Sequence, residues 1–448
     1  MVLLNRKILK LSIPAIVSNI TVPLLGICDT AISGHLGSEN YLAAIAVGSV
    51  MLNVVFWIFG FLRMGTTGLT ANALGAGNHQ ELKRVFSRAI FIAFAAGFVM
   101  IIFQIPLMAL LMKTVKTDTE ISLLVADYFS LRIWGAPALL STMAVTGWFV
   151  GMQNTTWPLI ISVGMNVANI IFSFLMVFPL NFGFTGIAAG TLVANWIGLL
   201  ISIVSVLWFC KGRNPFSSFR EIFIRKGLYK FFNVNSNLFI RSFCIIAVTM
   251  GVTHYGARYG ATALAVNVII MQFFQFFSFF MDGFAFSGEA LVGLYAGEQN
   301  FKMIQKSVRY LLGWTLGMIV IFTTVYFLFN DEITGLLTDN IEICHTVKLF
   351  EGFIIILPVI SAWAFIFDGF YVGLTDTKSM MLSTLASSAF FFVIIEILQP
   401  TASYESDIFF NRYIWLGFFS YLALRGLILA GLWKQRLNHF EIRGKAFR

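Results

Sequence analysis

Long apolar runs, separated by short polar segments, recur along the whole chain. A helix needs about 20 mostly apolar residues to cross a bilayer, and twelve runs approach or exceed this length. The pattern therefore predicts an all-α membrane protein with twelve transmembrane helices. We place them at residues 8–34, 41–73, 85–112, 121–147, 155–179, 184–210, 231–256, 261–295, 303–329, 345–374, 379–398 and 409–433.

The composition indicates that lipid, rather than water, solvates most of the surface. Hydrophobic residues make up 58% of the chain and charged residues only 11%, whereas soluble domains have roughly a quarter charged. The first run is too long for a signal-peptide core and lacks a small-residue cleavage site, so we interpret it as a retained helix. The net charge of +9 does not indicate nucleic-acid binding, because no basic stripe is interleaved with aromatic residues.

Lys and Arg residues are unevenly divided between the two sides of the predicted membrane. With the N-terminus in the cytoplasm, 21 of the 30 fall in cytoplasmic segments, five are external and four lie inside helices. Cytoplasmic loops of membrane proteins have such an excess of positive charge. We therefore expect a multi-pass protein of the cell inner membrane, with both termini in the cytoplasm.

The two halves of the chain share glycine patterns. Gly68–Gly77 matches Gly288–Gly297, and Gly147–Gly151 matches Gly369–Gly373 at nearly the same offset along the chain. Each match falls on the corresponding predicted helix of its half. This pattern predicts an internal duplication.

The duplication predicts three parts: an N-terminal six-helix lobe at 1–210, a cytoplasmic linker at 211–230 and a C-terminal six-helix lobe at 231–448. Because both lobes begin on the same side, the repeat is parallel. Such pairs of bundles typically enclose a central cavity and rock to open it on alternate sides.

Polar side chains at membrane depth are functional candidates because burial in lipid is costly. In the first half these are Asp29 on the first predicted helix, the stripe Asn166, Asn169 and Ser173 on the fifth, and Thr191 with Asn195 on the sixth. Spacings of three and four residues place such side chains on one helix face. Arg132 is placed to serve Asp29 or Asp127. The alternative for the stripes is that they only hold helices together.

The second half has its own polar candidates. Gln272, Gln275, Asp282 and Glu289 fall on one side of the eighth predicted helix, and Asp368 lies on the tenth. Arg241 on the seventh helix is placed to neutralise Asp282. A structural role for that ion pair remains an equal alternative.

Motifs of the common enzyme classes are absent from the sequence. The four cysteines show no CxxC spacing and the five histidines no metal-ligand spacing, so we expect neither a metal centre nor a cofactor. We do not expect an enzyme. Without a P-loop, an ion gradient is the remaining common source of energy for transport.

Six short motifs occur in an order and spacing that resemble one family of transporters. They are Cys28-Asp-Thr-Ala-Ile-Ser-Gly-His-Leu-Gly37, Gly75-Ala-Gly-Asn-His-Gln-Glu-Leu82, Arg132-Ile-Trp-Gly-Ala-Pro137, Gly151-Met-Gln-Asn-Thr155, Asp282-Gly-Phe-Ala-Phe-Ser-Gly-Glu289 and Asp368-Gly-Phe-Tyr-Val-Gly373. Over nearly its whole length the chain resembles the multidrug and toxic compound extrusion (MATE) transporters, in the branch named for the DNA-damage-inducible F protein.

The resemblance implies export of cationic or amphipathic compounds in exchange for H⁺ or Na⁺. In this branch an Asp on the first helix is tied to ion coupling, and Asp29 matches it. A second Asp usually follows the pattern Asn-x-x-x on the fifth helix, whereas this chain has Ser173 after Asn169. A hydroxyl cannot take up the proton. Either Asp29 acts with Asn169 and without a second carboxylate, or ion coupling has moved to Asp282 and Asp368. Ser173 stays among the ion-coupling candidates because of its position.

Our hypothesis is a secondary active efflux antiporter for small organic compounds that works by alternating access. The alternative is a flippase for a lipid-linked sugar or lipid, although flippases often have a strongly cationic cavity. An ion channel or a receptor is less favoured. The sequence leaves the substrate, the choice between H⁺ and Na⁺, and the oligomeric state open, although a monomer is compatible with it.

The candidates for the substrate cavity are Asn154, Asn166, Thr191, Asn195, Arg241, Gln272, Gln275 and Glu289.

Overall fold

The computed structural model describes residues 2–36, 38–113, 118–398 and 411–446. Gly37 and residues 409–410, which belong to the first motif and the twelfth predicted helix, lie outside this part. Every regular element within it is a helix, which confirms the predicted all-α class. The elements are α1 (Val2–Gly34), α2 (Glu39–Ile58), α3 (Phe61–Gly75), α4 (His79–Ile102), α5 (Gln104–Met112), α6 (Thr119–Arg132), a 3₁₀ turn (Ile133–Gly135), α7 (Ala136–Gly151), α8 (Thr156–Val177), α9 (Phe184–Phe209), α10 (Phe219–Ile222), α11 (Arg225–Arg258), α12 (Ala261–Gly297), α13 (Phe301–Leu328), α14 (Asn330–Leu337), α15 (Ile341–Lys348), α16 (Glu351–Gly373), α17 (Thr377–Leu398) and α18 (Asn411–Ala446).

Eleven helical segments of the described part are long and apolar enough to cross a membrane. Each coincides with one of the predicted transmembrane helices. Helix α1 is not among the eleven, but its 33 residues exceed the length that a crossing requires, and it coincides with the first predicted helix. Large apolar side chains such as Trp208 and Phe327 are exposed on these helices, as expected where lipid covers the surface.

Four of the predicted helices are interrupted: at residues 59–60, at Phe103, at the 3₁₀ turn and at residues 349–350. Residues 59–60 separate α2 from α3, and the 3₁₀ turn Ile133–Gly135 separates α6 from α7. Pro137 follows this turn at the start of α7, where its missing N–H is tolerated, although it could not continue the hydrogen bonding of α6. Helix α4 crosses α7 here, since a Cβ at Gly97 would lie 2.3 Å from the Cα of Pro137.

The turns between helices repeat with a constant offset between the two halves. The side chains of Asn78 and Asn300 each accept a hydrogen bond from the backbone N–H three residues later, at 2.9 and 3.2 Å, and so cap α4 and α13. Gln153 and Thr375, which are separated by the same interval, follow α7 and α16 with φ angles of 62° and 58°. The structure therefore confirms the internal duplication.

The ends of α3 and α12 correct one detail of the predicted repeat. Helix α3 ends at Gly75 and α12 at Gly297, so Gly75, and not Gly77, is the counterpart of Gly297. The predicted alignment of Gly77 with Gly297 was wrong. Gly77 lies two residues after the end of α3, whereas Gly297 is the last residue of α12. The offset between Gly147–Gly151 and Gly369–Gly373 aligns α3 with α12 as well as α7 with α16.

The chain divides into two compact units, Ile13–Asn235 and Met1–Ser12 with Ser236–Arg448. We refer to them as the N-terminal and the C-terminal unit. Helices α1 and α11 each contribute residues to both, because each continues through the point where the units divide. The predicted linker at 211–230 belongs to the N-terminal unit.

A buried arginine of α4 contacts the backbone of the linker. Arg88 of α4, only 1% exposed, donates hydrogen bonds to the carbonyl oxygens of Ile222 and Glu221 at 3.0 and 3.2 Å and to the Glu81 carboxylate at 3.0 Å. A Cβ at Gly227 would lie 2.4 Å from the same guanidinium. The segment thus packs on the end of α4.

Candidate functional site

Asp29 lies near the end of α1, in the N-terminal unit. Pro14 and Pro23 precede it inside the helix, and each removes a backbone hydrogen bond, which favours bending of α1. The Asp29 side chain is 7% exposed. Its Oδ1 atom accepts no hydrogen bond from the described residues. A buried carboxylate in this state is costly unless a proton or a cation accompanies it.

Arg132, which the sequence places to serve Asp29 or Asp127, lies at the end of α6. Among the described residues the Arg132 and Asp29 side chains form no ion pair within 4 Å. Instead the Arg132 guanidinium donates a hydrogen bond of 2.7 Å to the Tyr128 hydroxyl and lies 5.3 Å from that ring centroid. The Tyr128 hydroxyl in turn lies 3.0 Å from the Ser49 hydroxyl of α2. Arg132 is therefore held by Tyr128 of its own helix and forms no ion pair with Asp29 in the part of the chain that the structure describes.

The predicted polar stripe of α8 contacts α1. Asn166 donates a hydrogen bond of 3.2 Å to the carbonyl oxygen of Thr21. One turn earlier, the Ser162 hydroxyl lies 3.2 Å from the Thr21 hydroxyl. Sequence reasoning missed Thr21 and Ser162, although Ser162 precedes Asn166 by four residues and so shares its helix face.

The same stripe also contacts α9. Asn169 donates a hydrogen bond of 2.8 Å to the Thr191 hydroxyl, which itself donates to the Ile187 carbonyl oxygen at 3.0 Å. Ser173, which is fully buried, faces Gly190, because a Cβ at Gly190 would lie 2.4 Å from the Ser173 nitrogen. The stripe therefore lies between α1 and α9.

Asp29 lies at the depth of Ser173, the last residue of this stripe. Three crossings separate α1 from α8, so the two helices run in the same direction. Asp29 follows Thr21 by eight residues, and Ser173 follows Asn166 by seven, so both lie about 10–12 Å beyond the contact at Thr21. The Asn169 Oδ1 and Ser173 Oγ atoms, like Asp29 Oδ1, have no hydrogen-bond partner among the described residues. Asp29 and Ser173 thus lie at one depth of the N-terminal unit, and Asn169 lies about one helical turn before them.

Two other predicted residues of this unit have evident packing roles. Asn195 of α9 lies against the 3₁₀ turn, where a Cβ at Gly135 would lie 2.5 Å from its Nδ2 atom. Asn154 caps α8 by accepting hydrogen bonds from the backbone N–H groups of Thr156 and Trp157 at 3.0 and 3.3 Å. These contacts favour structural roles for both, and their place in a substrate cavity stays a prediction.

Asp368 of α16 forms a buried ion cluster in the C-terminal unit. Arg241 of α11 and Arg425 of α18 both donate to the same carboxylate oxygen, Oδ2, and Arg425 also donates to the Tyr421 hydroxyl at 3.4 Å. Arg241 thus has Asp368 as an ion partner, a contact that was not predicted. A proton or a sodium ion would have to compete with two guanidinium groups for Asp368, so this arrangement favours a structural role.

The remaining predicted residues lie along α12 of the same unit. Gln272 is exposed, Gln275 and Asp282 are half-buried, and Glu289 is 1% exposed. The carbonyl oxygen of Glu289 faces Gly373, where a Cβ would lie 3.1 Å away. Within the described ranges, no three His, Cys, Asp or Glu side chains are grouped so as to hold a metal ion.

Comparison with known proteins places these features in one family. The MatE family model matches residues 14–175 and 238–398, one segment in each half. The chain is 31% identical to DNA damage-inducible protein F of Escherichia coli K12 over 431 residues, which cover 96% of this chain and 92% of that protein. It is 22% identical to a probable multidrug resistance protein NorM of Bacillus anthracis, with 85% of each chain covered.

Solved structures share the fold. One, described as the outward-facing conformation of a multidrug resistance MATE family transporter of the MOP superfamily, has a TM-score of 0.85 and covers 98% of this chain and 96% of its own. A Vibrio cholerae MATE transporter in its bent form has a TM-score of 0.84 and covers 98% of both chains. Their sequence identities are only 16% and 17%, so these likenesses establish the fold alone.

Proposed function

Because the chain belongs to the MatE family of multidrug and toxic compound extrusion transporters, we propose that it is a secondary active antiporter that exports small organic, cationic or amphipathic compounds. It is a multi-pass membrane protein, and its bacterial relatives favour the inner, or plasma, membrane as its location. We propose H⁺ as the first coupling ion to test and Asp29 as the group that binds it.

The burial and hydrogen bonding of the Asp29 carboxylate are the observation that best supports proton binding by this residue. It is buried, and one of its oxygens accepts no hydrogen bond from the described residues. Arg132, the cation predicted to serve it, donates to Tyr128. Ionisable side chains at membrane depth commonly serve proton relays or ion pathways. In the C-terminal unit Asp368 has two guanidinium partners, so Asp29 is the better candidate for reversible binding.

In the proposed cycle a proton joins Asp29 from the more acidic external side. Loss of the negative charge releases a cationic substrate and changes how α1 packs on the α8 stripe, through the contacts of Thr21 with Ser162 and Asn166. On the cytoplasmic side Asp29 loses the proton, and its charge attracts the next substrate cation. Bending of α1 at Pro14 and Pro23 accommodates the change.

Sodium is the alternative coupling ion. Asp29, Asn169 Oδ1 and Ser173 Oγ offer a carboxylate, an amide and a hydroxyl oxygen, which are ligand types that hard cations accept. A flippase for a lipid-linked sugar is the alternative function. It is less favoured because Arg241 and Arg425, two of the four arginines inside the predicted helices, are already paired with Asp368.

The test is efflux of a lipophilic cation, ethidium, from proteoliposomes with a pH gradient and a sodium gradient imposed separately. We expect the pH gradient alone to drive export, and Asp29→Asn to abolish it. Asp339→Asn is the matched control, because it makes the same change at an exposed position and should export normally.

Three outcomes would count against the proposal. Undiminished export by Asp29→Asn would exclude this carboxylate as the coupling group. Export driven only by the sodium gradient would support antiport, but with Na⁺ and not H⁺ as the coupling ion. If neither gradient moved ethidium or another organic cation, the flippase would become the leading hypothesis.

A further inference from the structure

A basic cavity lies on the C-terminal unit, between the first turn of α1 and the first half of α13. Its volume is about 750 Å³. Asn5 of α1 forms one side, and residues of α13 from Lys302 to Gly317 form the other. By the distribution of Lys and Arg, this end of both helices is cytoplasmic. None of these residues belongs to the ion-coupling candidates.

The polar part of the cavity has three exposed cations on one helix face. Lys302, Lys306 and Arg309 are spaced by four and three residues, so they follow each other along α13. Among the described residues none of the three forms an ion pair with a carboxylate within 4 Å. Their charges are therefore available to an anion from outside the protein.

The apolar part of the cavity continues the same face toward the membrane interior. A Cβ at Gly313 or at Gly317 would meet no atom within 4 Å, so the two glycines leave an open groove. Leu316 and Val320 beside them are 52% and 64% exposed. The face thus changes from basic to apolar just after Arg309, as it would at the boundary between lipid headgroups and hydrocarbon.

The opposite wall of the cavity is fixed in place. Trp314 donates a hydrogen bond of 3.2 Å from its indole nitrogen to Asn5 and stacks on Phe284, with ring centroids 6.0 Å apart. Helix α1 is held on α12 here, because the Ser12 and Ser287 hydroxyls lie 2.7 Å apart. An indole at this level is typical of the membrane interface.

We propose that this cavity binds an anionic phospholipid of the cytoplasmic leaflet. The phosphodiester group lies against Lys302, Lys306 and Arg309, and an acyl chain follows the groove at Gly313 and Gly317. Basic pockets between transmembrane helices on the cytoplasmic side suit such headgroups. A lipid fits better than a soluble phosphate because the cations and the apolar groove are continuous.

Native mass spectrometry of the purified full-length protein tests this with two lipids that share their chains, dioleoylphosphatidylglycerol and dioleoylphosphatidylcholine. We expect the anionic lipid to be retained preferentially. Replacing Lys302, Lys306 and Arg309 together by Gln should weaken its binding by about tenfold or more. The matched control replaces three exposed arginines of the linker, Arg213, Arg220 and Arg225, by Gln and should leave binding unchanged.

A second variant tests the groove without changing charge. Gly317→Leu should weaken retention of the anionic lipid while the protein stays folded, because the position is open. The proposal would be overturned if the control triple variant lost as much lipid binding as the Lys302, Lys306 and Arg309 variant. It would also be overturned if the protein retained the two lipids equally, or if Gly317→Leu bound the anionic lipid fully. Complete displacement of the lipid by glycerol phosphate would overturn it too, since that would identify a site for a soluble anion.

Discussion

Gly147 of α7 lies directly against the backbone of Arg63 of α3, and a Cβ at this glycine would be 2.3 Å from the Arg63 carbonyl oxygen. The same contact recurs in the second half of the chain, where a Cβ at Gly369 would be 2.4 Å from the carbonyl oxygen of Ala285. Small residues allow such close approach of membrane helices. The duplication therefore preserves one helix crossing. Helix α3 crosses α7 in the first half as α12 crosses α16 in the second, and in both a glycine lies against a backbone carbonyl oxygen.

We expect Gly147→Ala and Gly369→Ala to destabilise the protein similarly. The neighbour in each case is backbone, which cannot rotate away, so the helices must separate at a cost of about 1–3 kcal/mol. Thermal unfolding in detergent, followed by intrinsic fluorescence, measures the effect. Gly352→Ala in α16 is the control, because its Cβ would meet nothing within 4 Å. A melting temperature of Gly147→Ala equal to that of Gly352→Ala would contradict the assigned crossing.

Asp368→Asn should destabilise the protein far more than Asp29→Asn does. Asp368 neutralises Arg425, which is 3% exposed, and removal of one partner of a buried ion pair typically costs about 3–5 kcal/mol. Asp29 forms no ion pair within the described residues, so Asn at position 29 removes a costly charge and breaks no pair. We expect its melting temperature to be unchanged or raised.

The two variants can be compared by thermal unfolding in the same detergent. Arg425→Gln should reproduce the loss seen with Asp368→Asn, because it breaks the same pair from the other side. Equal stability of the Asp368 and Asp29 variants would argue against the ion cluster as a structural element.

The helices were predictable because their apolar length is a local property. The predicted runs at 155–179, 184–210 and 261–295 agree with α8, α9 and α12 within two residues at each end. The break at residues 59–60 was not predictable, because no proline marks it. Gly60 lies in the break, but an isolated glycine inside an apolar run is tolerated in a helix and does not by itself predict its end.

The site was only partly predictable. The stripe of Asn166, Asn169 and Ser173 follows from spacing along one helix. The partner of Asp368 does not, because Arg241 lies 127 residues away on another helix. Arg425 had a usable signal, as a cation inside a predicted transmembrane helix, but nothing in the sequence pointed to its partner.

Arg88 anchors the predicted linker, and its replacement should release that segment. In the sequence Arg88 counts only as a cytoplasmic charge, yet it is buried and donates to two carbonyl oxygens of the linker. Arg88→Ala leaves those buried acceptors without a donor, which is unfavourable. We expect faster trypsin cleavage at Arg213, Arg220 and Arg225 in the purified protein, read by mass spectrometry of the fragments.

Arg84→Ala is the matched control for this experiment. Arg84 also contacts the linker, through the Glu221 carboxylate at 3.2 Å, but this partly exposed ion pair adds little stability. Its cleavage rate should stay close to that of the unmodified protein. Equal protection of the Arg88 variant would mean that other contacts hold the linker.

The packing of α9 on the α8 stripe gives the last prediction, Gly190→Ala. A Cβ there would lie 2.4 Å from the Ser173 nitrogen and 2.5 Å from its Cα, so α9 must move away from α8. That movement breaks the hydrogen bond from Asn169 to Thr191, and we expect both a lower melting temperature and reduced export. The control is Gly164→Ala on α8, where the Cβ would lie 2.7 Å from the Cδ1 atom of Ile201, the end of a side chain that can rotate aside. Normal export by Gly190→Ala would mean that the spacing of α8 and α9 at Ser173 is not part of the transport site, and would leave Asp29 to act without this stripe.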